Sequence, residues 1–378
     1  MRPHERIPVT LNSMSQNLTL SVVLSTRNHL GFLTGCLQGI LTQTFTDFEF
    51  LIVDDGSTDD TWACLETYAQ KDPRIRLFRN EHPLGVIKSY NQLFGLAQGS
   101  HIWSVATDDH CINPSFLNDG FRLLHRFPYA AGFYANMRIV KMPGEVFERN
   151  WMTESRDRFF KPSEIMNLFW NDSGYPSGPS LVLKKNWHTL FNGWNYDLGP
   201  QCDYFLNILA GGTSGMVYLH RESVIHRIWG AGDSFLASQN RQNLIENLGR
   251  MERLLRANLP SSMDRRAEWN RWRIGAILRA TNFEHQLKNY FRRKGAPPPM
   301  IFFSLLRGLI RAVEAFCSGL RVGDLPRLSG TEANPKIFVI RLTRNIWNYA
   351  LYNYTWRGVF RIWKSLRKRT PWPQTYYT

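Results

Sequence analysis

The sequence predicts an α/β fold, a mostly parallel central sheet flanked by helices, followed by a helical C-terminal extension. Three observations predict it. Apolar, β-branched runs alternate with segments of helical period over residues 18–110. Acidic pairs stand directly after two of those runs. Beyond about residue 240 a mixed, glycine-rich pattern gives way to basic stretches of helical character. A chain of 378 residues with 43% hydrophobic and 20% charged side chains is ordinary globular composition, which excludes collagen-like, low-complexity and wholly disordered classes. The length suits one large domain with an appendage, or two domains.

The elements follow in order. Leu18–Ser25 is apolar and rich in β-branched residues, as a strand buried on both faces requires. Phe32–Thr42 repeats Leu33, Leu37, Ile40 and Leu41 on one helical face. Phe48–Val53 is a second strand, closed by Asp54-Asp55-Gly56-Ser57, and Thr61–Gln70 a second helix. Arg74–Arg79 is a short strand, Val86–Ala97 a third helix, and His101–Ala106 a strand running into Thr107-Asp108-Asp109. After Pro114 the pattern loosens, and residues 130–240 mix short strands with glycine-rich loops such as Ser173–Pro179. Helices are expected over Gln239–Ala257, Ala267–Arg293 and Phe302–Leu320, with a turn at Gly295–Pro299. The expected organisation is a polar tail over 1–17, an α/β domain over 18–238 and a basic, aromatic-rich helical region over 239–378.

Charge separates the parts. Residues 1–240 carry 20 Lys/Arg against 23 Asp/Glu, whereas residues 241–378 carry 26 against 8. Two parts so different are expected to meet different partners. The five cysteines, Cys36, Cys64, Cys111, Cys202 and Cys317, are scattered without a CxxC pair, which fits a reduced compartment rather than a zinc site or disulfide framework. Met1–Asn17 lacks the basic–apolar–small order of a signal peptide, and a cytoplasmic location is expected. Met300–Leu320 is interrupted by Arg307, Arg311 and Glu314, too charged for a spanning helix.

Three acidic positions carry the candidate chemistry. Asp108-Asp109, past a strand, offers hard oxygen ligands suited to Mg²⁺ or Mn²⁺ bridging to substrate phosphates; the same pair also reads as a turn before Asn113-Pro114. Asp54-Asp55-Gly56-Ser57 presents carboxylates to a base or ribose, or serves as a turn whose Thr58 or Asp59 caps the next helix. Asp203, at a helix start, is either a general base within reach of a hydroxyl or a negative charge on a helix dipole. Open α/β sheets bind ligands outside the carboxyl ends of their strands, where the first two sites lie.

Taken in order, these sites resemble the inverting family 2 glycosyltransferases of GT-A fold, over roughly residues 18–235. Leu20–Asn28 resembles the family's opening strand with its small polar pair and Asn, and Glu49–Thr61 matches almost residue for residue. Asn80, Gly85, Asn91 and Gly99 follow its spacing. The resemblance implies that Ser25, Thr26, Asp54 and Asp55 line a nucleotide pocket. Asp108 and Asp109 would hold Mg²⁺ or Mn²⁺ on the diphosphate, and Asp203 would deprotonate the acceptor hydroxyl. Arg227, in His226-Arg227-Ile228-Trp229, would approach the diphosphate. The implied partners are a nucleoside-diphosphate sugar, most commonly of uridine, and a glycan or lipid-linked acceptor. The departures are Ala106-Thr107 in place of the family's Asp-Ala before the metal aspartates, Cys202 in place of a frequent Glu, and Trp229 in place of a late His. The first of these leaves the ligand as Asp108, Asp109 or both, with His110 as an outside candidate.

A nucleotidyltransferase of related fold is the enzymatic alternative, but residues 24–32 offer Arg27 and only Gly31 where a glycine-rich phosphate loop is needed. No G-x-G-x-x-G follows the first strand, against a dehydrogenase. An inactive membrane- or RNA-binding scaffold would have no need of Asp55, Asp108, Asp109 and Asp203 together. In residues 341–378, basic side chains interleave with Trp347, Tyr352, Trp356 and Trp363 and run into Lys364–Arg369. That composition fits attachment to an anionic membrane surface or a helical cap; nucleic acid ranks below both, for want of a motif.

Overall fold

The computed structural model describes residues 18–141, 145–150, 154–170, 176, 178–228, 241–263 and 268–269. The chain divides into two units, 1–298 and 299–378, and every described residue lies in the first. The expected helices over 267–293 and 302–320, Trp229 and the basic aromatic segment from 341 onward lie outside the described residues, apart from 268–269.

The elements are β1 (Leu20–Thr26), α1 (Leu30–Leu41), β2 (Phe48–Asp54), α2 (Thr61–Lys71), β3 (Ile75–Arg79), α3 (Val86–Leu96), β4 (His101–Val105), β5 (His110–Cys111), α4 (Phe116–Arg126), β6 (Gly132–Lys141), β7 (Glu145–Asn150), β8 (Arg158–Phe160), α5 (Pro162–Trp170), β9 (Leu181–Lys184), α6 (Lys185–Leu190), α7 (Cys202–Ser214), β10 (Met216–Ile228) and α8 (Arg241–Asn258). The sheet order is β3-β2-β1-β4-β9-β6-β10-β5, with β7 beside β6 and β8 beside β10. β1 to β4 pair parallel, and β6 pairs parallel with β10. β9 runs antiparallel to both β4 and β6 and so joins the two parallel groups into one sheet.

The apolar runs decide this. β1 and β2 are buried along their whole length except at Ser25, so each presents hydrophobic side chains to both faces. On one face Val22, Leu24, Phe50, Ile52 and Trp103 pack with Leu33, Leu37, Ile40, Leu65 and Phe116 from α1, α2 and α4. On the other, Val23, Leu51, Val53 and Ile102 meet Tyr90, Leu93 and Phe94 of α3. Each such side chain contributes about 1.5–3 kcal/mol on burial. A third cluster joins Met166 and Phe169 of α5, Cys202, Phe205 and Leu209 of α7, and Leu248, Met251 and Leu255 of α8. The first helix past residue 239 therefore shares a core with α7, whose first turn carries Asp203.

The late part of the sheet is longer than its sequence suggests. β10 is thirteen residues, but its ladder with β6 shifts register between Leu219 and Glu222 and again before Val224. Such bulges break the period of two on which strand recognition depends, so His220-Arg221-Glu222 reads as a loop within the run. α4, absent from the sequence-based expectation, is amphipathic, with Phe116, Leu117, Leu123 and Leu124 buried.

Candidate active site

Register brings the candidate residues to one edge. Thr26 lies opposite Asp54 and Leu24 opposite Val105, so the segments leaving β1, β2 and β4 emerge side by side. Ser25 is half-buried, while Thr26 is buried with its hydroxyl oxygen unpaired among the described residues; the Thr107 hydroxyl is in the same condition. Thr26 also holds the next segment through its carbonyl, which accepts the Asp55 N–H at 2.9 Å.

Asp54 and Asp55 spend their carboxylates on loops. Asp54 is fully buried; its Oδ1 accepts the Ser57 N–H at 3.2 Å and the Ser57 hydroxyl, and its Oδ2 stands 3.2 Å from Arg79 Nε. Ser57 Oγ in turn accepts the Asn28 N–H at 3.0 Å, and Asn28 Oδ1 accepts the Thr58 N–H at 2.8 Å. Asn28 adopts φ of 53°, a left-handed conformation that asparagine tolerates. Asp55 Oδ1 accepts Asn80 Nδ2–H at 2.7 Å and the Leu84 N–H at 2.8 Å, and Oδ2 accepts the Gly85 N–H at 2.9 Å. Burial pushes the Asp55 carboxyl up, but the Leu84, Asn80 and Gly85 donors outweigh it and hold the group below the usual range. Gly56 and Gly85, at φ of 70° and 87°, supply the reversals these loops require.

The Asp108-Asp109 pair sits on the turn after β4. Asp108 is half-buried, and its backbone carbonyl accepts Arg227 Nη1–H at 2.7 Å. The Arg227 guanidinium lies 5.9 Å from the Phe32 ring centre. Asp109 is buried, and its Oδ1 stands 2.8 Å from His226 Nδ1. Burial raises the Asp109 carboxyl, against the pull of His226. Burial pulls the His226 imidazole down, but Asp109 foremost, then Asp108 and Asp203, carry it above its ordinary value. Asp109 is the carboxylate His226 touches; Asp108 and Asp203 act on the imidazole only through longer-range attraction. His110 is turned elsewhere: its Nδ1 stands 2.6 Å from the Gly35 carbonyl.

Asp203 occupies the first turn of α7, half-buried, and its Oδ1 accepts the Tyr204 N–H at 2.7 Å. Burial raises its carboxyl, with the Tyr204 N–H and His226 opposing. A Cβ at Gly178 would stand 3.1 Å from Asp203 Oδ2, so this turn and the carboxylate nearly touch. The loop before α7 turns at Gly199, φ 53°, where a Cβ would come within 2.8 Å of Asn247 Nδ2 on α8. Arg250 of α8 donates to the Asp197 carbonyl at 3.0 Å. These contacts fix where α7 begins and hence where Asp203 stands.

Two oxygen-bearing side chains on one turn, with an imidazole and a guanidinium beside them, are a donor set suited to a hard divalent cation shared with phosphate oxygens. No group of three His, Cys, Asp or Glu side chains arranged as a complete metal cage occurs among the described residues. Sequence reasoning missed the His226–Asp109 bond, the Asn28–Ser57–Asp54 chain and the buried His188. Asp109, His226, Asn28, Ser57 and Asp54 all stand in motifs the sequence offers, but the pairings of His226 with Asp109 and of Asn28 with Ser57 cross 117 and 29 positions, and nothing in the sequence marks His188.

Residues 21–191 match the family model described as glycosyl transferase family 2. Glycosyltransferase GlyG of Streptococcus pneumoniae is 33% identical over 24% of this chain, and the match spans 30% of GlyG. An uncharacterized protein of Mycobacterium tuberculosis is 36% identical over 60% of this chain and 72% of its own length. Among solved structures, S. aureus TarS 1–349 in complex with UDP-GlcNAc superposes with a TM-score of 0.55 at 16% identity, covering 70% of this chain and 73% of that one. No helix among the described residues is long and apolar enough to cross a membrane.

Proposed function

The chain belongs to glycosyl transferase family 2 and is a glycosyltransferase of GT-A fold; from that premise we propose that it transfers a sugar with inversion from a nucleoside diphosphate, UDP first among the candidates, to a hydroxyl of a glycan or lipid-linked acceptor. The observation that carries this reading is the meeting of His226 and Arg227 of β10 with the acidic pair after β4: His226 Nδ1 stands 2.8 Å from Asp109 Oδ1, and Arg227 Nη1–H donates to the Asp108 carbonyl at 2.7 Å.

In the proposed mechanism Asp203 accepts the acceptor's hydroxyl proton as that oxygen bonds to the anomeric carbon from the face opposite the leaving diphosphate. The carbon–oxygen bond to the diphosphate breaks with its electron pair on the leaving group, and configuration inverts. A base held partly out of water, with its carboxyl raised, is a stronger proton acceptor than a free aspartate. Asp108 and Asp109 would hold Mg²⁺ or Mn²⁺, which when bound neutralises charge on the diphosphate. Arg227, fixed by the Asp108 carbonyl, adds positive charge on the same side, and His226, whose pKa Asp109 raises, stands beside it. Ser25, Thr26 and the loops clamped by Asp54 and Asp55 form the nucleotide end. Residues 18–238 carry the chemistry, α8 braces it, and the basic segment beyond 341 attaches to the anionic face of a membrane, binding vesicles at low salt.

The test is Asp203→Asn in a screen of UDP- and GDP-sugars with Mn²⁺. Turnover falls by about 10²–10⁴-fold while the nucleotide-induced rise in Tm persists. Normal turnover in the variant overturns the base assignment.

A further inference from the structure

A small cavity lies behind Asp203, between β4, β9, α6 and α7. Its polar lining comes from Ser104, His188, Asp203 and Asn207, and Trp194 closes one side. His188 is 4% exposed, and its Nδ1 has no hydrogen-bond partner among the described residues. The ring packs against Phe94 at 4.5 Å between centres, tilted by 50°, and the His188 carbonyl accepts the Gly193 N–H at 2.7 Å, so neither backbone nor ring is loose. Burial drives its pKa down to about 3, so the imidazole is neutral and carries one N–H donor and one bare nitrogen. A buried ring of that kind, facing a cavity that also holds a carboxylate, a hydroxyl and an amide, has the partners an internal water needs.

We propose that His188 is a positioning residue for Asp203: water held in the cavity joins the imidazole to the carboxylate, orients it and favours its ionised form. This rests on the reading of Asp203 as the base. The other titratable groups acting on that carboxylate are His226 of β10 and the Cys202 thiol beside it in the chain. His226 approaches from the Asp109 side, and the cavity wall is left to His188.

The sign follows from linkage. A carboxyl raised in the fold contributes stability that is lost as pH rises through its folded value. Removing the cavity donor raises it further and deepens that loss. The experiment is a thermal-unfolding cycle on the full chain at pH 4.5 and 7.5 with His188→Phe, Asp203→Asn and the double variant. H188F loses about 2–4 °C more between the two pH values than the unmodified chain does. In the D203N background that extra loss vanishes, and His188→Gln, which keeps an amide donor, restores the unmodified slope. An H188F deficit that is equal at both pH values, or unchanged in D203N, overturns the proposal. Should H188F not fold, the His188 ring ¹⁵N resonances in D203N decide: a shift supports the link and unmoved resonances overturn it. Failure of the base reading shows separately, as normal turnover in D203N with the cycle intact.

Discussion

The surroundings of Asp55 and Asp203 drive the two carboxyls in opposite directions. Asp55 receives an amide side chain and two backbone N–H groups, which more than offset its burial and hold its carboxyl down. Asp203 receives the Tyr204 N–H and the weaker pull of His226, and burial wins. The difference teaches that position at the carboxyl edge of a sheet does not make an aspartate chemical. The number of donors aimed at it decides whether the carboxylate is a fixed clamp or a group free to change its proton.

The largest expected effect comes from breaking the clamp. Asp55→Ala leaves the Asn80 amide and the Leu84 and Gly85 N–H groups without their acceptor, at a cost of about 3 kcal/mol in denaturant unfolding. Because its folded pKa is lowered, the stability Asp55 supplies is fully present above the unfolded value of about 3.9 and is lost as pH falls through the folded one. Acid unfolding of Asp55→Asn is accordingly flatter below about pH 4 than that of the unmodified chain. A parallel acid limb in the two proteins removes Asp55 from the clamp.

Asp203→Asn is expected to move stability the other way. Replacing a carboxyl that burial disfavours in its charged form raises stability at pH 7, and the gain shrinks as pH falls and the carboxyl takes up its proton. Loss of activity with gained stability is the signature of a group kept for chemistry. A destabilised D203N at pH 7 would place Asp203 with Asp55 among the clamps.

The turn at Asp54-Asp55 was legible in the sequence, but the partners that make Asp55 a clamp, Asn80, Leu84 and Gly85, lie 25, 29 and 30 positions on and were not. Asp54-Asp55-Gly56-Ser57 follows an apolar strand directly, and its turn residues are contiguous, so local rules locate it. Asp203 gained its meaning from the order of motifs, since one carboxylate at a helix start is ordinary. The His226–Asp109 bond spans 117 positions and no periodicity signals it. It depends on β10, whose two register shifts hide it from strand patterning. The neutral state of His188 is a property of packing by α3 and the sheet, which no neighbour in the chain reveals.

The smallest effect tests whether the clamp extends across the edge to β1. Ser57 Oγ both donates to Asp54 and accepts the Asn28 N–H, so it ties the segment leaving β1 to the segment leaving β2. Ser57→Ala keeps the Ser57 N–H bond to Asp54 and the Arg79 ion pair, and Asn28 keeps its bond to the Thr58 N–H. The expected loss is therefore only about 0.5–1.5 kcal/mol, one hydrogen bond's net worth. The informative readout is local: amide exchange of Asn28 and Thr58 speeds up in Ser57→Ala while that of Leu84 and Gly85, held by Asp55, does not. Equal acceleration in both loops would mean that the two aspartates form one cooperative unit, and the contrast between clamp and base would then be drawn between the whole 54–85 corner and α7 rather than between single residues.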